Sequence, residues 1–303
     1  MPFFSIIIPT YNRSSLVIGT IKSVLQQSFA DHEILVIDDG GTDSTSEMVR
    51  ETYGSEPRVK VIRQENAERG AARNNGMKHA SGDYIMFLDS DDKLRDVCLE
   101  RYAAFIDKHP GIPFLTGKFI FFQDELEFPS PIASWRQGWY DGSIYLEGQS
   151  TGITICIKNN ADLLPFEEDR KYATFEDWMF LVQNLLRDKI FVIDEVLLEV
   201  NDHPDRSVNA DNHIMVSKRK LATDWILNNV KLDKREENIL QGRTDYFCAI
   251  HSYADSDRTQ AMGYIRKAVN KLGWNKKFLI LFIKILIGHR LLNPIKKAWL
   301  GKR

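Results

Sequence analysis

The sequence predicts an α/β fold, a mostly parallel sheet covered by helices on both faces, followed by a helical carboxyl-terminal extension. Three observations carry that prediction. Apolar runs of strand length alternate with apolar residues at helical spacing over residues 3–88, the rhythm of a doubly covered sheet. One of these runs, residues 84–88, is hydrophobic or aromatic throughout, as expected for a strand buried on both faces. From Ile214 onward the pattern is helical only.

Residues 3–8 read as the first strand, stopped by Pro9. Residues 14–26 place Leu16, Val17, Ile21, Val24 and Leu25 at helical spacing. Residues 33–37 form a second buried strand, leading into Asp38-Asp39-Gly40-Gly41-Thr42-Asp43. Ser44 and Glu47 have capping-box spacing and open a second helix. Residues 59–62 make a third strand, and residues 69–80 a helix closed by Ser81-Gly82. After Phe114 the rhythm loosens. Residues 153–157 and 190–193 read as strands, and Phe175-Glu176-Asp177-Trp178 opens an amphipathic helix through Met179, Leu181, Val182, Leu185 and Leu186.

A chain of 303 residues, 43% of them hydrophobic, is long enough for a large core and one or two domains. The net charge of −2 conceals an asymmetry: residues 258–303 hold 12 Lys and Arg and no Asp or Glu. Residues 1–257 therefore carry 28 basic against 42 acidic residues, a net of −14, which disfavours nucleic acid as a partner of the main body. Cys98, Cys156 and Cys248 lie far apart and suit a reducing compartment, with neither a disulfide framework nor a zinc site. The amino terminus lacks the basic region of a signal peptide, and no apolar stretch is long enough to span a bilayer. The expectation is a cytoplasmic protein, peripheral on the inner face of the membrane if its carboxyl-terminal helices dock there.

In parallel sheets ligands bind beyond the carboxyl ends of the strands. The residues leaving those ends are Pro9-Thr10-Tyr11-Asn12-Arg13, Asp38-Asp39 and Asp89-Ser90-Asp91-Asp92. Three carboxylates within four residues repel one another unless a cation or donors neutralise them, and carboxylate oxygens suit Mg²⁺ or Mn²⁺. An aromatic ring, a hydrogen-bonding carboxylate and metal-binding carboxylates on one rim could hold a base, a ribose and a diphosphate. Neither G-x-G-x-x-G nor G-x-x-x-x-G-K-[ST] is present, so a hydride-transfer Rossmann enzyme and a P-loop phosphotransferase are disfavoured.

PTYNR, IDDGGTDST and NAERGAARNNGMKHASGDYIMFLDSDD, in that order, resemble the inverting glycosyltransferases of family 2, which have the GT-A nucleotide-sugar-binding fold. The resemblance covers residues 1–110. It implies that Tyr11, with Pro9, Thr10 and Arg13 around it, stacks on the nucleotide base and that Asp39 hydrogen-bonds it. Arg73 would approach the nucleotide or its diphosphate, Asp89 and Ser90 would hold the ribose side, and Asp91 would bind the divalent metal. It makes Asp177 the catalytic base with Glu176 its neighbour. The loop from His203 through Arg206 and Ser207 would close over the diphosphate, with His203 a candidate second metal ligand. The processive members' Gln-x-x-Arg-Trp is absent, which points to a non-processive enzyme of polysaccharide biosynthesis.

The implied activity is metal-dependent transfer from a nucleotide sugar, expected to be a UDP-sugar, to a hydroxyl on a growing glycan or lipid-linked saccharide. The domain division expected is 1–210 catalytic, with 1–110 the nucleotide-binding half and 111–210 the acceptor half, and 211–303 helical and basic. Two rivals share some of these features. A sugar-1-phosphate nucleotidyltransferase would release pyrophosphate and usually carries a Gly- and Arg-rich loop after the first strand, unlike PTYNR. A non-catalytic nucleotide-sugar-binding or membrane module would not need both Asp91 and Asp177. Residues 278–287 are apolar almost all round and flanked by Lys276, Lys277, Arg290, Lys296 and Lys297, with Trp274 and Trp299 at either side. That pattern suits a helix lying on an anionic membrane surface, the alternative being a helix packed on the body.

Overall fold

The computed structural model describes residues 3–123, 126–148, 151–160, 162–203 and 211–288. The chain divides into two compact units, Met1–Tyr145 with Gln149–Asp205 and Leu146–Gly148 with Arg206–Arg303.

The first unit holds the sheet. β1 (Phe4–Thr10), β2 (His32–Asp38), β3 (Val59–Arg63) and β4 (Tyr84–Phe87) are parallel, in the spatial order β3-β2-β1-β4. Their connections are α1 (Ser14–Leu25), α2 (Thr45–Tyr53) and α3 (Glu68–His79). After the short β5 (Lys93–Leu94) and α4 (Cys98–Lys108), the sheet is extended by β6 (Phe114–Gln123), which carries the hairpin partner β7 (Leu126–Pro129). β8 (Gly138–Asp141), β9 (Cys156–Lys158) and β10 (Lys189–Asn201) complete the sheet. β9 runs antiparallel between β4 and β6, and β10 lies parallel to β6. α5 (Glu176–Leu185) precedes β10. One core cluster joins Phe4, Ile6 and Ile8 of β1 to Val17, Ile21 and Val24 of α1 and to Leu99 and Tyr102 of α4.

Four sequence expectations are revised. β1 does not stop at Pro9 but runs through it to Thr10. Ile7 O accepts from Leu88 N on the β4 side, and Thr10 O accepts from Asp39 N on the β2 side. Alternation therefore turns the nitrogen of Pro9 toward β4, whose ladder has already ended at Ile7↔Phe87, so the missing N–H breaks no bond. The strand expected over 153–157 shrinks to Cys156–Lys158, because Ile155 N donates to Ile153 O at 2.8 Å and curls the chain there. Ile153 and Ile155 are buried by packing rather than by pairing. The strand expected over 190–193 extends to Asn201, with a register shift between Val192 and Val196 that turns Asp194 and Glu195 to solvent. Finally, Ser44 makes no capping hydrogen bond to α2. Asp43 takes that place, accepting from both the backbone and the hydroxyl of Thr45.

The second unit contains α6 (Asn212–Asn229), α7 (Lys234–Ala254), α8 (Arg258–Leu272) and α9 (Lys276–Ile287). α7 opens with a complete capping box between Asp233 and Glu236. Its core joins Ala249 and Tyr253 of α7, Ala261, Ile265 and Ala268 of α8, and Phe278, Leu281 and Ile285 of α9. Among the described residues no helix is long and apolar enough to cross a membrane.

Candidate active site

The carboxyl ends of β1, β2 and β4 form one rim, and two loops there are stitched together by a residue that sequence reasoning passed over. Asn12 sits at φ 52°, in the left-handed region, and its side-chain oxygen accepts from Thr42 N at 2.7 Å and Asp43 N at 3.3 Å. Asn tolerates that conformation better than most residues. Arg13 N donates to Thr45 Oγ1 and Ser14 N to Asp43 Oδ2, completing the seam. Tyr11, immediately before this turn, is thereby held with its side chain 48% exposed. Thr10 Oγ1 is buried beside it without a hydrogen-bond partner among the described residues, an unmet polar group of the kind that a ligand satisfies.

Asp39 is buried, and its carboxylate accepts from Gln64 Nε2 at 2.8 Å, Asn66 Nδ2 at 3.1 Å and Ala67 N at 2.8 Å. Burial raises its pKa, and the bonds from Ala67 and Gln64 oppose that without cancelling it. Gly40 follows at φ +71°, and a Cβ there would lie 2.7 Å from Asn66 N, so the turn that aims Asp39 admits only glycine. Asp38 points elsewhere. It accepts from Gly41 N, Ser46 Oγ and Arg63 Nη1, which braces the loop after β2.

The acids of Asp89-Ser90-Asp91-Asp92 do not share one cation cage; each has its own partner. Asp92 is buried and accepts from Asn201 N at 3.0 Å, tying β4 to the end of β10. Asp89 accepts from Arg73 Nη2 at 2.9 Å. Asp91 lies 2.9 Å from His203 Nε2 and 4.0 Å from Arg13 Nη2. Ser90 is buried between them.

Arg73 is the hinge of the arrangement. It is 1% exposed, and its second nitrogen, Nη1, donates to Glu176 Oε1 at 3.0 Å while Arg69 Nε lies 3.6 Å from the same oxygen. Burial works against its charge, but Asp89, Glu176 and Asp177 together hold its pKa above the ordinary value. A guanidinium reaches two acids at once through its planar fork, which an ammonium does not. α3 comes close enough for this because Gly70 lies flush on the chain opposite: a Cβ there would be 2.2 Å from Glu167 O.

Glu176 is also buried, and its other oxygen accepts from Thr174 N at 2.7 Å. Thr174 is held at φ +93°, a strained value for a β-branched residue. Asp177 is half-buried at the amino end of α5, its Oδ1 accepting from Trp178 N, while Trp178 is buried and donates to Tyr145 O. Both acids open α5, but Glu176 is buried in an ion-pair lattice whereas Asp177 is only half-buried. Arg206 and Ser207 lie outside the described residues.

Sequence reasoning missed Asn12, Gln64, Asn66, Arg69 and Thr174. Asn12 and Asn66 stand inside the quoted motifs, so the signal was there, whereas nothing in the sequence singles out Thr174. The donor set available to a divalent cation is the Asp91 carboxylate and the His203 imidazole, which fits Mn²⁺ or Mg²⁺ sharing its shell with phosphate oxygens. Among the described residues no group of three His, Cys, Asp or Glu converges to hold an ion alone.

A parallel rim continued by an antiparallel strand and a carboxylate-headed helix defines a GT-A fold. *Staphylococcus aureus* TarS, solved with UDP-GlcNAc, superposes with a TM-score of 0.69 at 22% identity, over 93% of this chain and 84% of that one. A *Pyrobaculum calidifontis* mannosyltransferase, solved with GDP-Man and Mn²⁺, superposes at 0.60 with 16% identity, over 94% and 80%. The glycosyl transferase family 2 model matches residues 5–158, and the chain belongs to that family. A *Rickettsia conorii* glycosyltransferase is 44% identical over 76% of this chain and 38% of its own length. A *Campylobacter jejuni* GalNAc(5)-diNAcBac-PP-undecaprenol beta-1,3-glucosyltransferase is 41% identical over 31% of each. The *Escherichia coli* chondroitin synthase is 39% identical over 34% of this chain. These alignments span only 16–38% of the relatives' own lengths.

Proposed function

We propose that the chain moves a sugar, with inversion, from a UDP-sugar to a hydroxyl of a growing glycan or lipid-linked saccharide. Residues 1–210 would be the catalytic domain, with the donor bound by 1–110 and the acceptor by 111–210. Tyr11 stacks on the base, flanked by Pro9, Thr10 and Arg13. Asp39 accepts an N–H from the base, and Asp89 and Ser90 hold the ribose side. Asp177 takes the proton from the acceptor hydroxyl as its oxygen bonds to the anomeric carbon. The bond from that carbon to the diphosphate oxygen breaks, and UDP leaves with the electron pair.

Asp91 and His203 would hold a divalent cation. When bound, such a cation supplies Lewis-acid stabilisation of the leaving diphosphate. The observation that carries the reading is the buried guanidinium of Arg73, bonded to Asp89 and to Glu176 at once. It couples the strand end proposed to bind the donor to the helix whose first two residues are Glu176 and Asp177. Glu176, locked into that lattice, positions the base rather than acting as one.

The test is a screen of UDP-sugars for release of UDP, with Mn²⁺ or Mg²⁺ and after chelation. Asp91→Asn is expected to weaken Mn²⁺ affinity by about 10–100-fold, read by metal titration as well as by turnover. Full turnover after exhaustive chelation would remove the metal from the reading, and pyrophosphate as the product would replace the reaction class.

A further inference from the structure

We propose that the outward face of α9 docks on an anionic lipid membrane. Nine of the twelve residues of α9 are apolar, but only Phe278, Leu281 and Ile285 are buried against α7 and α8. A second apolar set, Leu279, Ile280, Ile283, Leu286 and Ile287, is 37–52% exposed. At 3.6 residues per turn these five share an arc about 120° wide. Lys277 and Lys284 border that arc on one side, and Lys276 lies within it at the amino end; all three are exposed. Trp274, 57% exposed, stands just before the helix with its ring edge-on to Phe282.

The helix presents this face as a formed element. Asn275 Oδ1 accepts from Phe278 N at its start, and Arg258 donates to Ile285 O and Leu286 O at its end. Contact therefore needs no folding step.

Charge selects the occupant. The described residues 258–288 carry seven Lys and Arg without one Asp or Glu, and residues 289–303 add five more basic residues and no acid. A second copy meeting this face through a two-fold axis would set Lys276, Lys277 and Lys284 against themselves with no carboxylate to pair them. An anionic lipid surface supplies both what the arc lacks, apolar acyl chains for the exposed side chains and negative charge for the lysines. Twelve residues rise only about 18 Å, well short of the roughly 30 Å hydrocarbon layer, so the helix lies in the interface. The proposal does not depend on the assignment of the transfer reaction.

The test is sedimentation of the full chain with phosphatidylcholine vesicles, with and without phosphatidylglycerol. Binding is expected only with the anionic lipid and should weaken with salt. Ile283→Ser combined with Leu286→Ser should lower partitioning roughly a hundredfold without moving the melting temperature. Lys276→Gln with Lys277→Gln should lower it roughly tenfold at low salt and flatten the salt dependence. Three results would overturn the proposal. The first is that the chain ignores anionic vesicles at low salt. The Ile283 and Leu286 variant could melt well below the wild type, meaning that the face is covered within the chain. Light scattering could reveal a dimer that this variant dissolves, with no vesicle binding. UDP-sugar binding, followed in the same preparations, separates failure of docking from failure of the transfer reading.

Discussion

Arg73 is almost wholly buried and gives one nitrogen to Asp89 and another to Glu176, whereas Asp91, two residues beyond Asp89, meets His203 at 2.9 Å and Arg13 only at 4.0 Å. The first arrangement is a lattice around a buried guanidinium and a buried Glu176, with the Asp89 side chain 37% exposed at its edge. The second joins one short contact and one long one, both to Oδ2 of Asp91, and involves no buried guanidinium. In the proposed reaction the first arrangement would fix the distance between donor and base, and Asp91 would exchange its partners for a metal.

The sharpest way to break this contrast is to remove its centre. Arg73→Ala leaves Glu176 buried with only Arg69 nearby, and should cost about 3–5 kcal/mol in denaturant unfolding. Arg73→Lys should recover only part of that, because an ammonium has no fork to span two acids. An alanine variant as stable as the wild type would mean that the lattice holds nothing together.

The paired acids sharpen the contrast next. Asp177→Asn is expected to keep the unfolding midpoint and the donor affinity while transfer falls about 10²–10⁴-fold. Glu176→Gln should do the reverse in kind, lowering stability because Arg73 and Thr174 N lose their charged partner. Normal transfer by Asp177→Asn beside an inactive, fully stable Glu176→Gln would exchange the two roles.

The smallest effect concerns pH. Burial raises the carboxyl of Asp39 above its ordinary 3.8. Its folded value exceeds the unfolded one, so ionising it as pH rises past that value costs some stability. The ionised form is the stronger acceptor of an N–H from a base. Donor affinity should therefore fall on acidification through a value above 3.8, and Asp39→Asn should bind weakly but without that dependence. An unchanged pH profile in the variant would assign the titration elsewhere.

Much of the first unit was legible in the sequence, for reasons visible in single residues. The runs at Ile6–Ile8 and Ile34–Ile37 are apolar without alternation because both faces of a central parallel strand are covered, and burial of every residue of β1 and β2 follows from that. Asp39, Asp89 and Asp91 stand where each such run stops, which already places them at strand ends. The antiparallel β9, only three residues long, and the bulged β10 were less legible. A short strand has too few residues for its period to register, and Asp194-Glu195 interrupts the apolar signal of β10.

By itself, then, the sequence determined which residue types leave the sheet and in what order, because local periodicity and side-chain chemistry are properties of neighbouring residues. It could not determine the partner of each charge. Arg73 and Glu176 are 103 positions apart, and Asp91 and His203 are 112. Only the tertiary structure decided that one acid of the Glu176-Asp177 pair is locked inward while the other is only half-buried, and that the acids after β4 part toward different partners. The reason is physical: the free energy of a buried charge depends on what the whole fold brings within hydrogen-bonding distance, and no local pattern in the chain encodes that distance.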